Sequence, residues 1–144
     1  MAHLSCLNKQ NDIKETFSHL KSQEEKYHYI IEMGRKAPKM PLSDQTEDRL
    51  VVGCQSLLYL QTKCNQNCLS LQVGSNALIS AGLAHLLIQV YNGEPPLAVF
   101  ECPPLFLKEI GLFNLLSPSR SNGLKALYQK LQKDCLQFLK GSSL

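Results

Sequence analysis

The 144-residue sequence has no stretch long and apolar enough to cross a bilayer. Its longest apolar run, Ala77 to Val90, is interrupted by Ser80, His85 and Gln89, whereas a spanning helix needs about 20 predominantly apolar residues. The opening Met1-Ala2-His3-Leu4-Ser5-Cys6 lacks the apolar centre of a secretory leader. Also missing are a glycine-rich phosphate loop, a basic tract with interleaved aromatics that would fit nucleic acid, internal repeats and low-complexity segments. Charge is scarce in the middle. Between Val51 and Leu107 only Lys63, Glu94 and Glu101 are charged, while residues 1–50 carry eight basic and eight acidic side chains. A nearly uncharged centre between charged ends describes a buried core wrapped by outer helices. These absences point to a cytoplasmic protein with no membrane or nucleic-acid partner. In a reducing compartment its six cysteines are expected to be free thiols.

What is present reads as one domain over residues 1–144, with 1–10 frayed. Asn11 or Asp12 is placed to cap a first helix whose Ile13, Phe17 and Leu20 share a face. Ser22-Gln23-Glu24-Glu25 has the form of a capping box and starts a second. Its inward stripe is Tyr27, Ile30, Ile31 and Gly34, and Pro38 and Pro41 end it. Val51-Val52, Leu57 to Thr62 and Leu69 to Val73 read as short strands, with a polar hairpin turn over 63–68. Ala77 to Tyr91, capped by Ser75 or Asn76, is a helix apolar nearly all round and therefore central. Short helices follow over Leu97 to Phe100 and Leu105 to Ile110. Ser117-Pro118 then opens a last helix with the stripe Leu124, Leu127, Tyr128, Leu131, Cys135, Phe138 and Leu139. Helices, a small antiparallel three-stranded sheet, then helices is an α+β order.

One stretch organises the candidates: Val51-Val52-Gly53-Cys54-Gln55-Ser56-Leu57-Leu58. Gly53 permits a tight bend, which holds Cys54 at the rim of the sheet with Gln55 and Ser56 supporting the loop. Free cysteines are more often buried small hydrophobes than reactive groups, but a cysteine at a glycine bend followed by two polar residues is not in a packed face. Cys64 and Cys68 form a C-x-x-x-C spacing, half a zinc site with no second pair. The alternative this leaves is a metal or cluster scaffold built from Cys54, Cys64, Cys68 and His85. Cys135 belongs to the core, Cys102 precedes a proline pair and Cys6 lies in the frayed end. A cysteine hydrolase needs a histidine base near its thiol, and in sequence none but His28 lies within thirty residues of Cys54. Arg120 stands at a helix start, where acids are preferred, as a cation able to hold a thiolate or a loop.

Three blocks resemble the SufE family of sulfur-acceptor proteins: residues 24–34 (EEKYHYIIEMG), Gly53-Cys54-Gln55-Ser56, and residues 116–124 (LSPSRSNGL). In order and spacing they reach from about Ile13 to Leu139. The resemblance implies a SufE/NifU-like fold and an acceptor role for Cys54, which takes persulfide sulfur from a cysteine desulfurase and relays it to Fe–S scaffold proteins. It implies a partner and activator of a SufS-like desulfurase, not an enzyme on its own. Pyridoxal phosphate belongs to that partner; this chain is expected to bind no cofactor and no metal. Tyr59 stands where the family usually has tryptophan and Asn76 where aspartate is common, and both positions bear on partner binding.

Overall fold

The computed structural model describes residues 3–54 and 56–141. Among these, seven helices surround one two-stranded antiparallel sheet, in the order α1 (Leu4–Ser18), α2 (Gln23–Lys36), β1 (Leu58–Asn65), β2 (Cys68–Ser75), α3 (Leu78–Tyr91), α4 (Ala98–Glu101), α5 (Phe106–Glu109), α6 (Leu112–Leu115) and α7 (Pro118–Gly141). The architecture is α+β, as the pattern indicates.

The third strand is not there. At Val51-Val52 there is only one hydrogen bond, from Val51 N to Leu58 O at 2.8 Å, beside a single bridge of Leu50 opposite Tyr59. A 3-10 turn, Glu47–Arg49, immediately precedes it, and Gly53 turns the chain away at φ 98°, so the ladder has no length in which to grow. Val52 is left 84% exposed. The opposite edge, along β2, is covered instead by the chain leaving α3: Leu69 N donates to Glu94 O, Gly93 N to Leu69 O, and Leu71 N to the Asn92 side chain. Both edges are therefore partly blunted without a strand.

The hairpin turn is tighter than the polar run over 63–68 suggests. Gln66 and Asn67 both adopt left-handed φ, 52° and 61°, the pattern of a two-residue type I′ connection. Lys63 and Asn65 are polar because they lie on the outward face of β1, not because the strand has ended.

The first helix begins at Leu4, where a frayed end was expected. Cys6 and Gln10 are buried, and Gln10 is tied to the far end of the fold. Its amide nitrogen donates to Cys102 Sγ at 3.3 Å and Pro103 O at 3.1 Å, and its oxygen accepts from Phe106 N. In α2 the Ser22 hydroxyl accepts from Glu25 N at 3.1 Å, the expected cap. Tyr27, assigned to the inward stripe, is exposed, whereas Ile30 and Gly34 are buried.

Helix α3 is central: ten of its 14 residues are buried, and it packs against α1, α2, β2 and α7. Its crossing with α2 brings backbone onto backbone. A methyl group at Gly82 would sit 1.9 Å from Ile30 O, and one at Gly34 would sit 2.0 Å from Leu78 O. Helix α7 lays Leu124, Leu127, Leu131 and Cys135 against α3 and β1. Tyr91 and Tyr128 stack at 6.2 Å and donate their hydroxyls to Cys102 O and Val99 O. Forcing a methyl group into the crossing pushes packed helices apart, so Gly82→Ala should lower stability by about 1–3 kcal/mol, read as a reduced urea midpoint. An unchanged midpoint would mean that α2 and α3 separate at no cost.

Candidate functional site

The cysteine loop is closed at its feet. Val51 N donates to Leu58 O, and Leu57 is clamped to the entry of α3: its N–H donates to Asn76 Oδ1 at 3.1 Å, and its carbonyl accepts from Ser75 Oγ at 2.7 Å and Asn76 N at 3.4 Å. Between these anchors Gly53 supplies the positive φ that reverses the chain. Ser56 is held from the opposite side. Arg120 Nη1, in the first turn of α7, donates to Ser56 Oγ at 3.1 Å and to Ser80 Oγ on α3 at 2.5 Å. One guanidinium thus joins three separate elements, and charged donors make the stronger class of hydrogen bond.

Cys54 is half-buried. It faces a small cavity walled by Leu58, Leu83, Ala84, Leu124 and Leu127, with Ser80, Arg120 and Gly123 completing it. The free space is about 10 Å³, at the lower edge of what one water needs. The thiol therefore looks into an apolar recess with room for about one more atom, with a cation on its wall.

The other predicted residues fall into place differently. Asn76, expected at a partner surface, spends its side-chain oxygen on Leu57 N and so is first of all a loop anchor. Tyr59 is half-buried in β1, opposite Gly74. Gln55 lies outside the described residues. Cys64 and Cys68 do not form a pair: Cys64 sits across from Leu69 and Cys68 across from Asn65, so the period of two in a strand sends them to opposite faces. His85 does not line the Cys54 cavity; burial holds its pKa below the usual range, and its Nδ1 has no partner. Among the described residues no three His, Cys, Asp or Glu side chains gather as a metal site, so the scaffold alternative finds no support in this arrangement. A groove of about 780 Å³ along α2, lined by Glu24, His28 and Glu32 among others, involves no cysteine.

Two site residues escaped the sequence reading. Ser80 was visible only as a polar break in an apolar helix, and Gly123 only as one residue of the 116–124 block, with no role of its own. Both signals have local meaning only once α3 and α7 are known to meet over Cys54.

The three core thiols are of another kind. Cys6, Cys102 and Cys135 are buried. Burial, reinforced by Cys102, pushes the Cys6 thiol up to about 12, and burial beside Asp134 does the same for Cys135. The folded state therefore keeps protons that the unfolded chain releases above the ordinary thiol value of 9. Stability is fully present below that value and falls as pH rises from 9 towards 12. Urea midpoints across that range should decline, and Cys135→Ala should make the decline shallower. A flat profile would mean these thiols ionise as easily inside as outside.

Comparison with known proteins adds four findings. Residues 11–135 match the SufE family, described as an Fe-S metabolism associated domain. An uncharacterized SufE-like protein of Rhizobium etli is 30% identical over 130 residues, covering 86% of this chain and 87% of the relative. Another from Rhizobium meliloti is 28% identical over 129 residues, covering 86% and 92%. The solution structure of a hypothetical protein from Thermus thermophilus superposes with a TM-score of 0.75 at 27% identity, over 92% of this chain and 96% of that one.

Proposed function

The chain belongs to the SufE family, a domain associated with Fe–S metabolism, and we propose that it is a sulfur carrier whose Cys54 accepts persulfide sulfur from a cysteine desulfurase. The observation that carries this reading is the placement of Cys54: a loop fastened at both feet, with the thiol turned to an apolar recess of about one atom's volume.

The transfer is a thiol exchange. Ionised Cys54 attacks the outer sulfur of the donor's persulfide, a bond forms between Cys54 Sγ and that sulfur, and the donor's own S–S bond breaks. The donor cysteine leaves as thiolate and takes up the proton that Cys54 gave up. No electrons are gained or lost overall. The recess suits the product, because a persulfide left in solvent is open to small thiols. Arg120 holds Ser56 against Ser80 and so keeps the loop in its resting form; delivery requires those two bonds to release at the partner's surface.

The surroundings support docking of a protein. Val52 and Leu57, on the loop that carries Cys54, are 84% and 50% exposed. Exposed apolar side chains clustered beside a reactive group are a usual mark of a protein contact. The desulfurase is the partner on one side and an Fe–S scaffold protein the acceptor on the other, in the cytoplasm, where free cysteines persist. None of the six cysteines is disulfide-bonded, and no helix of the described residues is long and apolar enough to cross a membrane.

Incubation with a cysteine desulfurase and cysteine should add one sulfur by intact mass. Cys54→Ser should abolish the increment and Cys64→Ser should leave it. Arg120→Ala, which removes the two bonds that hold the loop in its resting form, should speed uptake about tenfold, equivalent to about 1.4 kcal/mol of barrier. Sulfur arriving on any other cysteine would sink the reading.

A further inference from the structure

Gly123 lies in the second turn of α7, buried, where glycine is a poor choice. Inside a helix it surrenders more conformational freedom than alanine and weakens the segment. The reason for tolerating it lies across the cavity. A methyl group at position 123 would stand 2.9 Å from Cys54 Sγ, 3.6 Å from its Cβ and 3.7 Å from its Cα. Only the sulfur is too close; the other two are ordinary contacts. No backbone of another helix and no core side chain comes as near.

We propose that Gly123 is a positioning residue: the missing side chain is the seat of the Cys54 sulfur and keeps the thiol turned inward. The clash is one-sided in its consequences. Helix α7 is braced by Leu124 and Leu127 in the core, while the sulfur ends a short side chain on a loop whose turn depends on Gly53. A methyl group at 123 therefore moves the thiol and not the helix. It also fills the recess in which one added sulfur would fit. Arg120 and Gly123 divide the work on adjacent turns of α7: the first holds the loop down through Ser56, the second leaves space beneath it.

The link to cargo protection rests on the sulfur-carrier reading, but the seat itself is testable without any donor. In native Gly123→Ala protein treated with iodoacetamide at about pH 8, the alkylation rate of Cys54, measured by peptide mass against exposed Cys68 as internal reference, should rise at least about fivefold, because reactivity follows access. Thermal unfolding of Gly123→Ala, Cys54→Ala and the double variant supplies the second readout. With Cys54→Ala the seat is vacant, so Gly123→Ala should raise Tm by a few degrees; with Cys54 present that gain should vanish or reverse. An unchanged Cys54-to-Cys68 ratio, or the same Tm shift in both backgrounds, overturns the proposal. A wild-type chain that takes no sulfur from a desulfurase would instead sink the carrier reading, since neither of these measurements uses one.

Discussion

Backbone contact between α2 and α3 is the constraint on which the rest depends. Gly34 and Gly82 let the two helices meet with main-chain atoms where side chains normally intervene. That sets the depth of α3 in the core, and α3 carries Ser80, Leu83 and Ala84, three walls of the cysteine cavity. A crossing wider by one methyl group would shift those walls relative to α7 and the loop. The helix that anchors the molecule thus also sets the dimensions of its candidate site, and the two roles meet within a single turn, at Ser80 and Gly82.

Around that centre the polar groups are few and are used to join elements distant in the chain. Glu94 is buried, yet it accepts from Lys9 Nζ at 2.7 Å and Ser5 Oγ at 2.8 Å, so its charge is paired. Gln10 links α1 to the segment before α5. Arg120 links the loop, α3 and α7. In each case a buried or half-buried polar group has found partners, which is what its removal from water demands. These links help explain why the amino-terminal helix is ordered from Leu4: Ser5, Lys9 and Gln10 are fastened to residues some ninety positions away.

The helical part of the fold was legible because its signals are local. Ser22 caps α2, Ser117-Pro118 opens α7, and the all-round apolar character of 77–91 marks a central helix. The errors came where tertiary partners decide. Val51-Val52 has strand composition but no room beside the 3-10 turn and the Gly53 reversal. Residues 4–10 look dispensable until the carboxylate and thiol they bond are seen. Lys63 and Asn65 read as a loop because one face of a strand is wet. At the site, Cys54, Gly53, Ser56 and Arg120 could be named from sequence, because a thiol at a glycine bend and a misplaced cation are unusual. Asn76 also anchors the loop, and Ser80 and Gly123 carry no local sign of what they touch, since what makes them matter is distance across the fold.

The closed feet of the cysteine loop also limit its excursion. Cys54 is three residues from the Val51 anchor, and an extended chain advances at most about 3.5 Å per residue. Even with Ser56 released from Arg120, the backbone of Cys54 travels no more than about 10 Å from the sheet. Any protein that reacts with this thiol must therefore carry its own reactive group most of the way, on a protruding element, because this arm is too short to reach into a deep cleft.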